Sequence, residues 1–216
     1  METRTNVKLV GLISSFIAMI MTIIFAFALV LGFWYPVISG IISFIVCFIL
    51  ALAFLIMIIC IDTITPEYKQ LWSRIGIAFA SIYVVFITLT YYTQLALIFN
   101  PPSVSSDILN LLDYQEPNSW IFKINMLGYG FMTLSTLFTA FVFGKSIMEK
   151  WLKRIFIFHG IFFVPTIIFP LLPLKTSVEE SALFGSLALI LWCVIFIPLA
   201  GFVTRYFRVE IIKNNN

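Results

Sequence analysis

The sequence predicts an all-α polytopic membrane protein, with six transmembrane helices in one bundle, residues 1–216 forming a single unit and both termini cytoplasmic. Three observations carry this expectation. Hydrophobic residues make up 62% of the chain and charged residues 11%, against about 45–50% and about 25% in soluble domains. The apolar excess is gathered into six runs, each close to or above the roughly 18 residues that mark a span. The Lys and Arg residues fall almost entirely on one side of the alternation those runs impose. This composition excludes a soluble enzyme, a nucleic-acid binder and a disulfide-stapled secreted domain. The net charge of +3 belongs to the face toward anionic lipid.

In order, the predicted spans cover residues 9–33, 37–61, 75–99, 121–144, 155–172 and 182–204. The first exceeds the about 7–15 apolar residues of a cleavable signal and lacks a small-x-small site, so it is expected to stay in the membrane. Orientation follows from the basic residues. Arg4, Lys8, Lys69, Arg74, Lys145, Lys150, Lys153, Arg154, Arg205, Arg208 and Lys213 share one side, leaving Lys123 and Lys175 for the other. Basic loops stay cytoplasmic. Trp34, Trp72, Trp120 and Trp151 fall at span ends, where indole rings sit at headgroup level. Trp192 alone lies mid-span. Cys47, Cys60 and Cys193 lack any Cys-x-x-Cys spacing and read as small apolar packing residues.

The connections carry their own signals. Thr65-Pro66-Glu67 has the form of an N-cap, a first-turn proline and a first-turn acid, which starts the third helix near Pro66. Residues 144–154 mix Ile147, Met148, Trp151 and Leu152 with Lys145, Lys150, Lys153 and Arg154, the pattern of a short amphipathic stretch along the inner leaflet. The external loop, 100–119, opens with Pro101-Pro102 and continues into a short surface helix from Ser106 as N-cap through Leu112. Its acids, Asp107, Asp113 and Glu116, lack calcium-loop spacing and form a solvated cap. The two halves of the chain share no repeat.

Chemistry has little to work with. None of the ten Asp and Glu falls inside a predicted span, whereas ion-coupled transport needs a titratable group at membrane depth. No metal-ligand spacing, phosphate loop or serine elbow is present, so no catalytic residue, metal or cofactor is assigned. His159, the only histidine, is expected about one turn into the fifth span, hydrogen-bonded to a neighbouring helix; a proton relay or haem ligation is the sharper alternative. Thr88, Tyr91 and Gln94, spaced three apart, share a helix face, and Asn125 and Tyr129 lie at similar depth in the fourth span. Buried amides must find partners in an apolar medium. Tyr91, Gln94, Asn125 and Tyr129 are therefore the candidate ligand-binding residues, forming either interhelical hydrogen bonds or a polar pocket open to the outside. Asn125, Gly128, Met132, Ser135 and Thr139 form a stripe against which another helix can pack closely. Pro165, Pro170, Pro173 and Pro198 interrupt the last two spans.

Two segments also carry a likeness. Leu71-Trp72-Ser73 leading to Tyr91-Tyr92-Thr93-Gln94-Leu95, and Leu127-Gly128-Tyr129-Gly130-Phe131-Met132 with Thr136-Leu137-Phe138, resemble a group of small bacterial and archaeal membrane proteins. The likeness covers about the middle third of the chain. It implies a six-helix protein of a prokaryotic plasma membrane and brings no activity with it. The expected function is non-enzymatic: binding of a small-molecule or lipidic ligand, or of a membrane-protein partner, within the bundle. A transport component energised by a separate ATPase is the alternative. A third reading is an intramembrane enzyme acting on lipids, using His159 or the hydroxyls of Tyr91 and Tyr129.

Overall fold

A computed structural model describes residues 2–114, 116, 119–144, 146–172 and 178–215, with side chains described from 5 to 213 except in 173–184 and at the other omitted positions. Lys145, Pro173 and Lys175 lie outside the described residues. Regular structure among the described residues is entirely helical: α1 (Glu2–Leu31), α2 (Pro36–Ile64), α3 (Gln70–Phe99), α4 (Ser106–Leu112), α5 (Trp120–Thr139), α6 (Ile147–Ile161), α7 (Phe163–Ile168) and α8 (Val178–Asn215). Five stretches are long and apolar enough to cross a membrane: Thr5–Leu31, Pro36–Ile64, Glu67–Phe99, Ile147–Leu171 and Gly185–Lys213.

The predicted fourth span is not among these five. Its helix, α5, has 20 residues and ends in a 3-10 turn, Ala140–Val142. Lys123, Asn125, Thr133, Ser135, Thr136 and Thr139 dilute its apolar character. All of these except Lys123 are buried, so α5 turns its polar groups onto protein.

Several boundaries differ from the sequence reading. Helices α1 and α8 run past the apolar limits by several residues, because hydropathy marks where lipid would end, not where helical hydrogen bonding stops. Thr65 closes α2 instead of opening α3: its hydroxyl donates to the Ile61 carbonyl at 2.7 Å. Pro66 then leads a 3-10 turn, Glu67–Lys69, and α3 starts at Gln70. The surface helix is capped by Ser105, one residue before the expected position. The amphipathic stretch 144–154 is not a separate element. It forms the first turns of α6, which continues directly into the predicted fifth span. Ser146 Oγ accepts from the Glu149 N–H at 3.1 Å, and the Glu149 carboxylate accepts from the Gly144 N–H at 3.0 Å, so the start is capped from both sides. Gly144 has φ 147°, a backbone conformation that favours glycine. Pro165 cannot donate to the Ile161 carbonyl, and the chain breaks there into α6 and α7.

The long helices pack as a closed circuit, α1 on α2, α2 on α3, α3 on α5, α5 on α6, α6 on α8 and α8 back on α1. Phe54 of α2 stands at the centre, its ring 5.5 Å from Tyr83 of α3 and 6.1 Å from Phe196 of α8. Cys47, Leu50, Met57, Ile87, Met132 and Phe156 complete this buried cluster. Cys47, Cys60 and Cys193 are all buried and free, as expected. The outward faces are apolar too: Phe16, Phe27, Ile45, Leu52, Val85, Leu89 and Val194 are exposed. Apolar character all round suits a hydrocarbon solvent better than water. At one end Lys8 donates to the Glu210 carbonyl at 2.6 Å, and Glu210 in turn pairs with Lys213 at 2.7 Å, clasping α1 to α8.

A close seam lies between α3 and α5. Ser73, Gly76, Ala80, Tyr83, Ile87, Thr90 and Gln94 are buried along α3 at alternating spacings of three and four. The stripe Asn125, Gly128, Met132, Ser135, Thr139 is buried along α5 at the same spacing. A Cβ on Gly76 would collide with Thr139 Oγ1 and stand 3.1 Å from the Ser135 carbonyl oxygen; one on Gly128 would lie 3.1 Å from Phe86 and Ile87. Glycine thus lets the two backbones approach, as small residues do between membrane helices. Gly76→Ala is expected to destabilise the protein by about 1–3 kcal/mol, as overpacking against backbone does. Gly185→Ala, with no atom within 4 Å of its added Cβ, should be neutral or slightly stabilising. Thermal unfolding of both variants in the same detergent checks the contrast.

Candidate functional site

The α3–α5 register decides which side chains meet near the α4 end of the molecule. Gly76 lies against Ser135 and Thr139, and Gly128 against Phe86 and Ile87. Three residues on from Ile87 and three back from Gly128, Thr90 and Asn125 come level with each other. Tyr91 and Gln94 follow on α3, and Tyr129 lies one turn from Asn125 on α5. The four candidate residues are brought to one region and are all buried: Asn125 is 0% exposed, Tyr91 2%, Gln94 5% and Tyr129 5%. Thr88 does not join them. Its hydroxyl bonds back to the Val84 carbonyl at 2.7 Å.

The connections among the four are less direct than their spacing implied. Tyr91 and Tyr129 bond hydroxyl to hydroxyl at 3.0 Å, and the Tyr129 hydroxyl donates to Cys47 Sγ at 3.8 Å. Gln94 and Asn125 do not bond to each other. Gln94 reaches instead to the segment after α4: its Nε2 donates to the Leu112 carbonyl at 2.7 Å, and its Oε1 accepts from the Tyr114 N–H at 3.1 Å. Asn125 Nδ2 donates to the Tyr114 hydroxyl at a long 3.4 Å. Tyr114 therefore stands between the two amides. Its ring lies 5.9 Å from Phe44, 6.0 Å from Tyr91 and 5.9 Å from Phe122. Burial raises the Tyr114 hydroxyl above the ordinary tyrosine value, so it acts as a neutral donor and acceptor.

Two surface grooves lie away from these residues. A surface groove of about 360 Å³ is lined by α1 and α2, with Ile24, Phe27, Leu31, Trp34 and Ile42. Another, of about 560 Å³, borders α4 at Asp107, Asn110, Leu111, Glu116 and Ser119. Tyr91, Gln94 and Tyr129 are hydrogen-bonded within the chain, and Asn125 is bonded through Nδ2. Among the described residues, four buried polar atoms nevertheless lack a partner, and all four are on the α3–α5 pair: Tyr83 Oη, Thr90 Oγ1, Asn125 Oδ1 and Ser135 Oγ. A buried acceptor without a donor costs about 1–3 kcal/mol.

His159 lies more than three turns into α6, not one, because the helix starts at Ile147. It is fully buried and both ring nitrogens are engaged. Trp192 Nε1–H donates to His159 Nε2 at 2.9 Å. Thr136 Oγ1 lies 2.8 Å from Nδ1 and itself donates to the Thr133 carbonyl at 2.8 Å. Indole is a donor only, so Nε2 accepts, the proton sits on Nδ1 and Thr136 Oγ1 receives it. Through these two contacts the ring braces α6 against α5 and α8. Among the described residues, no group of three or more His, Cys, Asp or Glu could hold a metal.

Tyr114, Trp192, Cys47 and Tyr83 were missed from sequence. Trp192 did carry a signal, since a mid-span indole N–H needs an acceptor and His159 offers the only ring nitrogen. Tyr114 is the single aromatic residue of loop 100–119. The four span-end tryptophans are exposed, and Trp192 is buried. Comparison of the chain with protein-family models, curated proteins and solved structures gives no match in any of the three. Trp192→Phe should destabilise the protein by about 1–3 kcal/mol by leaving His159 Nε2 without a donor. Trp120→Phe, at an exposed site, should change it by less than about 0.5 kcal/mol. Thermal unfolding of the two variants in detergent separates them.

Proposed function

We propose that the protein is an integral membrane protein of six spans in one bundle, with both termini cytoplasmic and loop 100–119 outside. On this reading it binds a small uncharged or lipidic ligand near Tyr91, Gln94, Asn125 and Tyr129 and does no chemistry on it. α5 is then the sixth span, its polar side chains turned from lipid onto its neighbours. A prokaryotic plasma membrane is the proposed location, with lipid as the constant partner. The basic residues at both helical termini and before α6 support this orientation through the positive-inside rule. Cysteine tags at residues 3 and 215 should resist an impermeant thiol reagent in intact cells, while one at residue 110 should label; a labelled terminus would reverse the topology.

The observation that carries the binding reading is Asn125 Oδ1, a fully buried acceptor without a donor, level with the equally unpartnered hydroxyl of Thr90. Such atoms in an apolar surrounding call for hydrogen-bond partners, which a bound molecule can supply. Tyr91, Gln94, Asn125 and Tyr129 are themselves uncharged, which favours a neutral ligand. Native mass spectrometry of gently extracted protein should find a co-purifying small molecule that Asn125→Leu loses. Equal retention by wild type and this variant would remove this site from consideration.

A second reading, a membrane subunit served by a separate ATPase, draws on the start of α6. Ile147 is 78% exposed and Trp151 54%, beside Lys150 and Arg154, an apolar and basic surface on the cytoplasmic side. Affinity purification from native membranes would recover the ATPase on this reading, and Ile147→Glu would release it.

A further inference from the structure

The segment holding Tyr114 is fastened to the bundle in an unusual way. Helix α4 has no buried residue, and Val104, Ile108 and Leu111 are all exposed. What enters the bundle is the Tyr114 ring, inserted among Phe44, Tyr91 and Phe122. One side chain, Gln94, holds it there by gripping the backbone on both sides, at the Leu112 carbonyl and the Tyr114 N–H. The Tyr114 hydroxyl meets the Asn125 amide only at 3.4 Å, near the limit of a hydrogen bond. The other atom of that same amide, Oδ1, meets nothing.

From these contacts we infer that Tyr114 is a tethered plug occupying the mouth of the ligand site, and that the ligand is an uncharged hydroxy-aromatic group that takes the place of its ring when Gln94 lets go. This rests on the binding site proposed above. The stand-in identifies the chemistry: the mouth already accepts a planar ring with one hydroxyl, between aromatic faces and an amide. A free phenol is not held by the chain and can settle closer to Asn125, accepting from Nδ2 or donating to Oδ1. The tethered ring leaves that amide half-used. The side chains that hold the ring, Phe44, Tyr91, Phe122, Gln94 and Asn125, are uncharged, which favours an uncharged ligand.

Cys47 is a built-in reporter. It lies one turn below Phe44 on α2 and is 0% exposed, behind Tyr91 and Tyr129. The test uses the full chain with Cys60→Ala and Cys193→Ala, reconstituted in phospholipid vesicles and treated from outside with methyl methanethiosulfonate. The probe is 4-methylphenol, the tyrosine side chain itself, with toluene as the same ring lacking the hydroxyl. The plug predicts slow modification of Cys47 in the otherwise unaltered chain and a rise of about tenfold, a difference of about 1.4 kcal/mol, in both Gln94→Leu and Tyr114→Ala. In Tyr114→Ala, 4-methylphenol should restore protection and toluene should not, and Asn125→Leu added to Tyr114→Ala should abolish that protection. Circular dichroism and gel filtration identify any variant that has lost its fold, and Gln94→Glu, which keeps one acceptor for the Tyr114 N–H, then supplies the intermediate rate. Unchanged Cys47 reactivity in folded Gln94→Leu and Tyr114→Ala overturns the plug. Equal protection by toluene, or protection that survives Asn125→Leu, overturns the ligand class. Because the probe is defined, these outcomes are separate from the co-purification result: a retained molecule with no gating by Tyr114 would leave the site standing and remove the plug.

Discussion

The close approach of α3 and α5 is the constraint on which the rest of the α4 end depends. It exists because glycine stands at two positions, 76 and 128, where any side chain would press on the facing helix. With the two backbones near each other and antiparallel, the heptad-like rows on both helices are in register. Tyr91 and Tyr129 can then join hydroxyl to hydroxyl, and Asn125 comes level with Thr90. The same register stacks Phe79 and Phe86 against Phe131, with ring centroids 6.0 and 5.9 Å apart, on the outer flank of the seam. Aromatic packing fills the space that the glycines leave beside the backbones.

A second constraint acts on what the seam contains. In surroundings this apolar, each buried hydrogen-bonding group needs a partner within the chain or a ligand. Most comply locally: Thr22, Thr93, Thr139 and Thr166 return their hydroxyls to carbonyls four residues back. The long-range solutions shape the fold. His159 with Trp192 and Thr136 ties three helices, and Ser39 donates across to the Ala28 carbonyl at 2.7 Å to close the α1–α2 hairpin. The atoms left over are all on α3 and α5. Their concentration on one helix pair, with none left over on α1, α2, α6 or α8 among the described residues, separates that pair from the rest of the circuit.

The sequence displayed the helices well and their contacts poorly. Apolar runs located α1, α2, α3, α6 and α8 because length and hydropathy are properties of each segment alone. Helix ends moved by several residues because a helix outlasts its apolar stretch, as α8 does beyond Thr204. Pairing was visible where polar residues of two spans fell at similar depth: Tyr91 and Gln94 on α3 were expected to face Asn125 and Tyr129 on α5, and the small-residue stripe on α5 announced a close neighbour. The candidate residues were correctly gathered near one level, since spacing fixes depth. Their partners were not legible, because Gln94 bonds to a loop backbone, and a backbone carbonyl has no signature in the residue that carries it. Tyr114 lies twenty positions from Gln94, just past the expected surface helix, where no pattern singled it out.

Helix α5 ties these points together. It is the one long helix whose composition falls short of a free-standing membrane span, and it is also the helix that contributes Asn125, Tyr129, Thr136 and the stripe to the interior. The two properties have one cause. A side chain that lowers hydropathy has to be turned onto protein, and a helix with several such side chains is surrounded on most of its circumference: α3 on one side, α6 and α7 on the other. A polar residue that a lipid-facing helix could not retain is tolerated here because neighbouring helices supply most of its hydrogen bonds. The few bonds they do not supply, at Asn125 Oδ1 and Ser135 Oγ, mark where the protein's own atoms stop short. The helix least suited to lipid is for that reason the one around which a binding site can form.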